Sequence, residues 1–114
     1  MGQTLTLCRS DDVVEGEIRQ APLPDGTFVA LYRVDGQIYA TADKCTHEDV
    51  SLSEEGVICG KIVECTFHFG TFDVTTGAAT GMPCEIPLKT FPVTIVDGQV
   101  QITSPPRIPW WSPR

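Results

Sequence analysis

Two short runs carry the side chains best suited to metal chemistry: Cys45-Thr46-His47 and, after seventeen intervening residues, Cys65-Thr66-Phe67-His68. Each run offers one thiolate and one imidazole, and His47 and His68 are the only histidines in the chain. Thiolates are soft anionic donors that stabilise ferric iron, whereas neutral imidazoles are weaker donors suited to the ferrous state. Cys45 and Cys65 on one iron, with His47 and His68 on the other, would give the unequal [2Fe–2S] centre in which two histidines replace two cysteines. An added electron would settle on the imidazole-bound iron, which must lie nearer the surface to pass it on. With both histidines engaged, none remains for a second metal or for acid–base work.

A single tetrahedral zinc is the competing assignment. Structural zinc sites, however, separate paired ligands by about two to four residues, and Cys45-x-His47 leaves only one between them. Two bridged metals tolerate that tight pair better than one tetrahedron does. A chance meeting of unrelated Cys and His is the third reading, and it needs two matching runs at once.

Both runs must be held in register by a framework, and the turn signals outnumber the helix signals. Residues 29–34 and 37–40 form one expected hairpin about Asp35-Gly36, and 91–96 with 99–103 a second about Asp97-Gly98, two-residue turns that need positive φ. Further strands are expected at 4–8, 15–20, 57–58 with 62–64, and 71–74, with turns at Asp25-Gly26 and Thr76-Gly77 and a single helical turn at Ser10-Asp11-Asp12. No 3.6-residue period is sustained. The fold class is therefore all-β, a small antiparallel barrel or sandwich, interrupted by residues 43–85, which contain both metal-binding runs.

With 114 residues there is room for one domain and one modest core. No apolar run approaches the roughly 20 residues that span a bilayer, and residues 1–7 lack the basic and apolar regions of a signal peptide, so a cytoplasmic location is expected. Five cysteines argue against a purely disulfide framework, leaving Cys8, Cys59 and Cys84 as small, reduced, mostly buried side chains. A formal charge of −7 disfavours nucleic acid and anionic membranes and favours a partner with a basic docking patch, although solubility alone would also account for it. Residues 104–114 change composition abruptly; their prolines preclude a helix, and both tryptophans, Trp110 and Trp111, either fold back on an apolar patch or serve as an interaction site.

Over residues 4–103 the chain resembles the Rieske-type ferredoxin components of bacterial ring-hydroxylating dioxygenases. The resemblance rests on Cys45-Thr46-His47, Ser51-Leu52-Ser53, Glu64-Cys65-Thr66-Phe67-His68, Phe72-Asp73, Thr76-Gly77, Pro83-Cys84 and Phe91-Pro92-Val93. It implies the Rieske fold: a single domain over 1–103, with a β base and a cluster-binding subdomain at about 43–85 made of two ligand loops and the proline loop Gly81-Met82-Pro83. It also implies one Rieske-type [2Fe–2S] cluster held by Cys45, His47, Cys65 and His68. The function implied is that of a soluble, monomeric one-electron carrier between an NADH-dependent flavoprotein ferredoxin reductase and a terminal oxygenase. Glu48 departs from the glycine many relatives place after the first histidine, and the tail extends past the usual end of the fold.

High-potential relatives carry an extra cysteine in each ligand loop, where this chain has Val50 and Phe67, and hydroxyl groups against the cluster, where it has Gly70 and Phe72. A hydrogen bond to a charged group is worth about 1.5–3 kcal/mol. At about 59 mV per tenfold for one electron, each missing hydroxyl lowers the potential by up to roughly 65–130 mV. A value around −150 mV, at the low end for such centres, is expected. Catalysis by a two-histidine, one-carboxylate iron site is excluded for want of histidines. The remaining alternative is a Rieske-like structural or regulatory subunit of another redox enzyme, such as a nitrite reductase; those relatives often lack the ligands present here. His47 and His68 are expected at an apex flanked by Phe67, Phe69 and Pro83 and rimmed by Glu48, Asp49, Glu54 and Glu55.

Overall fold

The computed structural model describes residues 3–24, 26–44, 51–65, 70–81 and 87–104. Its strands are β1 (Gln3–Arg9), β2 (Ile18–Pro22), β3 (Phe28–Val34), β4 (Gln37–Ala42), β5 (Gly56–Cys59) and β6 (Ile62–Cys65). There follow β7 (Gly70–Asp73), β8 (Ala79–Gly81), β9 (Thr90–Phe91), β10 (Val93–Val96) and β11 (Gln99–Ser104). A 3-10 turn at Ser10–Asp12 and one α-helical turn, α1 (Leu52–Glu55), are the only helical elements among the described residues. The strands form three antiparallel sheets, ordered β1-β11-β10, β2-β3-β4-β9 and β5-β6-β7-β8. The all-β expectation holds.

The two Asp-Gly turns behave as their chemistry requires. Asp35 and Gly36 have φ of 51° and 81°, and Asp97 and Gly98 have 51° and 73°. That left-handed pair matches the twist of the strands it joins. Two expectations need correction. The strand expected at 15–20 begins only at Ile18, because Gly16 has φ 84° and breaks the extended chain; Glu15 keeps a single isolated bridge to Arg33. Phe91, expected in the C-terminal hairpin, instead pairs with Ala40 in the middle sheet. Pro92, which has no N–H to donate, separates the two pairings.

β3 explains how the layers cohere. Its sequence, Phe-Val-Ala-Leu-Tyr-Arg-Val, is a nearly continuous apolar run rather than an alternating one, as befits a strand buried on both faces. Side chains of a strand alternate between faces. Val29 and Leu31 accordingly join Val13, Ala21, Ala40, Phe91, Val100 and Ile102 in a core against the terminal sheet. Ala30, Tyr32 and Val34 join Leu52, Val63, Cys65, Phe72 and Val74 in a second core against the β5–β8 sheet. The Tyr32 hydroxyl, fully buried, lies 2.9 Å from Thr41 Oγ1, which itself donates to the Ala42 carbonyl. Tyr32 is therefore the donor of the pair, and burial keeps its phenol well above the ordinary range.

The turn after β7 is fastened by Asp73. Its Oδ1 accepts from the Thr75 N–H at 2.9 Å and the Thr75 hydroxyl at 2.6 Å, and Lys61 Nζ lies 3.5 Å from Oδ2. The Thr75 hydroxyl, above all, holds the Asp73 carboxyl below the usual 3.8. A carboxylate depressed in the folded state adds stability above its unfolded pKa, which is lost as pH falls through the folded value. Thr75→Ala should therefore shift the acid-unfolding midpoint upward while leaving stability near neutrality reduced by about 1 kcal/mol. Circular dichroism across an acid titration checks both; coincident acid limbs for the two proteins would contradict the linkage.

Candidate metal centre

Of the four residues expected to bind metal, Cys65 is described, and it closes β6. It is fully buried, in the same core as Leu52, Phe72 and Tyr32. Its partner on β5 is Gly56 and its partner on β7 is Gly70, so the thiol is flanked on both neighbouring strands by residues without side chains. Cys45, His47 and His68 lie outside the described residues, as do Glu48, Asp49, Val50, Phe67, Phe69, Pro83, Cys84, Trp110 and Trp111.

The stems of the expected loops are described, and they converge. Lys44 and Ser51 form an antiparallel bridge about the segment 45–50. Cys65 and Gly70 close the segment 66–69, and Gly81, the last residue of β8, pairs with Thr71, next to Gly70. The chain from Ser51 enters the sheet through α1 at Gly56, opposite Cys65. The segments 66–69 and 82–86 thus leave one end of the β5–β8 sheet, and the segment 45–50, which follows β4 of the middle sheet, leads through α1 to the same end. The β5–β6 turn at Gly60-Lys61 and the 74–78 turn lie at the other. Leu52, fully buried, fills the space under this end together with Cys65. A soft donor, shielded from water and set between two glycines, fits a thiolate-bound iron.

Sequence reasoning missed the residue that fastens the first stem. Asp43, only 4% exposed, accepts from Gln20 Nε2 at 2.9 Å, Ser51 Oγ at 2.5 Å and the Ser53 N–H at 2.8 Å. Its backbone adds a bond from Leu52 N–H to its carbonyl at 2.6 Å and one from its own N–H to Phe28 at 3.1 Å. Ser51, the N-cap of α1, makes no side-chain cap of its own; Asp43 satisfies the orphan N–H of Ser53 in its place. Gln20 stands 23 residues away on β2, and no local pattern connects the two.

Glu54 and Glu55 are exposed on α1, at the same end of the sheet as the three stems. Phe72 is fully buried in the core. The expectation that the remaining cysteines are mostly buried is corrected for two of them: Cys59 is exposed, because Ile58 takes the inward position on β5, and Cys8 is half-buried. Burial pushes the Cys8 thiol upward.

A family model described as the Rieske [2Fe–2S] domain matches residues 3–92. The ferredoxin component of the p-cumate 2,3-dioxygenase system of Pseudomonas putida is 52% identical over 94 residues, covering 82% of this chain and 80% of that protein. The structure of a ferredoxin from Sphingomonas yanoikuyae B1 matches with a TM-score of 0.86 at 44% identity, over 90% of this chain and 100% of that one. A chain in the complex of reduced oxygenase and oxidised ferredoxin of carbazole 1,9a-dioxygenase matches with a TM-score of 0.83 at 39% identity, over 93% and 97%. Among the described residues no helix is long and apolar enough to cross a membrane.

Proposed function

The chain belongs to the Rieske [2Fe–2S] family, as one of the ferredoxin components of aromatic-ring dioxygenase systems, and we propose that it carries single electrons from an NADH-dependent flavoprotein reductase to a terminal oxygenase. The observation that carries this reading is the convergence of the stems of all three expected loops at one end of the β5–β8 sheet, with buried Cys65 at its base. Cys45 and Cys65 supply the thiolates and His47 and His68 the imidazoles. Bound by them, the cluster supplies reversible one-electron reduction. Leu52, Phe72 and Tyr32 close the underside against water, and the backbone pairings at Lys44–Ser51 and Cys65–Gly70 hold the two ligand loops at fixed spacing. The protein works as a cytoplasmic monomer that presents one surface to its two partners in turn.

Support for the terminal oxygenase as partner comes from the similar ferredoxin chain found in the carbazole 1,9a-dioxygenase complex. The scaffold-subunit alternative has less behind it, since the relative 52% identical to this chain is named a ferredoxin component. The test is anaerobic reduction by NADH with a ferredoxin reductase of this class, followed by turnover of a matching oxygenase on admission of oxygen. Failure of reduction, or reduction without onward transfer, would favour the scaffold.

The exposed pair Glu54 and Glu55 gives the carrier surface a negative field, which speeds encounter with a basic partner. Glu54→Lys with Glu55→Lys moves the formal charge of −7 by four units. Reduction by the reductase should slow about fivefold at low ionic strength and by less than about twofold at high salt, where the Debye length falls to a few ångströms. Stopped-flow rates across a salt series decide it, and equal low-salt rates would remove the steering role.

A further inference from the structure

We propose that Asp43 is a positioning residue for the first ligand loop, acting as a clamp across its neck. The inference rests on the reading that Cys45 and His47, in the segment 45–50, are ligands. A carboxylate seldom sits in the interior unless its oxygens are fully engaged, and Asp43 is 4% exposed. Its described donors come from two places that must be tied together. Ser51 Oγ and Ser53 N–H belong to the strand-to-helix segment leaving the loop; Gln20 Nε2 belongs to β2 in the middle sheet. Gln20 also reaches Ser51 Oγ at 3.4 Å, and Ser51 Oγ lies 2.9 Å from Ser53 Oγ, so the four side chains form one connected network.

The backbone of Asp43 completes the clamp. Its N–H is bonded to the Phe28 carbonyl on β3, and its carbonyl receives the Leu52 N–H. The residue entering the loop is thus bonded to the residues leaving it through main chain and side chain together, and both are bonded to the middle sheet. The loop's two ends are held at one separation whatever passes above them. A mobile neck would spread the positions of Cys45 and His47, and a ligand pair loosely held releases its metal faster and samples more geometries.

Three properties of the purified iron-loaded protein test this. They are the rate at which visible absorbance bleaches under an iron chelator, the line widths of the paramagnetic resonance spectrum after dithionite, and the urea midpoint by circular dichroism. Asp43→Ala should bleach about tenfold faster and give broadened resonance lines. Val100→Ala, a cavity in the core on the opposite face of β3, should lower the urea midpoint by as much or more with unchanged lines. Asp43→Asn should fall between, because its remaining carbonyl still accepts from Ser53 N–H and a rotated Gln20 amide can accept from the new NH₂. Should Asp43→Ala fail to fold, Ser51→Ala and Gln20→Leu each remove one donor and should bleach about threefold faster.

Bleaching and line widths that merely track the urea midpoint across all variants would overturn the clamp. Cys45→Ser and His47→Ala are measured alongside. Unaltered spectra in those two would overturn the ligand assignment itself, whereas their loss of the cluster, with wild-type behaviour in Asp43→Ala, would overturn only the role given to Asp43.

Discussion

Cys65→Ala is expected to abolish iron and acid-labile sulfide binding, and electron transfer with it, while leaving the β framework folded. Cys65 is wholly buried at the end of β6, with glycine on the neighbouring strand at either side. No other described His, Cys, Asp or Glu cluster could take over its metal. Its backbone pairings with Gly56 and Gly70 survive replacement by alanine, so the fold loses only a small side chain from the core, at a cost of about 1 kcal/mol. Cys59→Ala is the matched control, because that thiol is exposed on the outer face of β5. Iron, sulfide and visible absorbance should all vanish in the first variant and be unchanged in the second. A coloured Cys65→Ala protein would contradict the assignment of this thiol.

Gly77→Ala is expected to cost stability rather than chemistry. Gly77 has φ 83°, where a side chain is strained by about 1–2 kcal/mol. A Cβ there would also collide with the Leu88 carbonyl oxygen and come within 2.9 Å of Thr90 Cγ2. Neither neighbour can yield easily. Leu88 N–H donates to the Gly77 carbonyl at 2.7 Å, and Gly77 N–H donates to Asp73 at 2.6 Å, so the contact lies inside a hydrogen-bonded junction. Strain and collision together should remove about 3 kcal/mol or more, and lower Tm by roughly 12–24 °C. Gly16→Ala isolates the strain term: φ is 84°, but nothing lies within 4 Å of the added carbon. It should lower Tm by about 4–16 °C, and by less than Gly77→Ala does. Equal losses in the two variants would mean that the junction yields without cost.

Much of the framework was legible because it obeys local rules. Asp35-Gly36 and Asp97-Gly98 announce their hairpins through a backbone conformation few other residue pairs adopt. The strand expected at 29–34 is found as β3, Phe28–Val34. The elements that escaped are those with too little sequence to show a period: β8 has three residues and β9 two. α1 escaped for the same reason, and its cap comes from Asp43 rather than from the serine beside it.

The donors of the candidate site were proposed from the sequence, whereas its support was opaque there. Cysteine and histidine advertise metal chemistry through their identity and spacing. The Asp43–Gln20–Ser51–Ser53 network joins residues from two sheets, and only the folded chain brings them together. Phe72 stood out as a missing hydroxyl, and its complete burial in the core with Cys65 shows that packing alone is reason enough for an aromatic ring there.

The central claim is that two unlike irons sit in one protein, one held by Cys45 and Cys65 and the other by His47 and His68. Mössbauer spectroscopy of the iron-enriched protein tests it most directly. The account predicts two quadrupole doublets of equal area with different isomer shifts in the oxidised state, and on one-electron reduction a ferrous signal confined to the site with the larger shift. A single symmetric doublet, or a protein that binds zinc in place of iron, would contradict it.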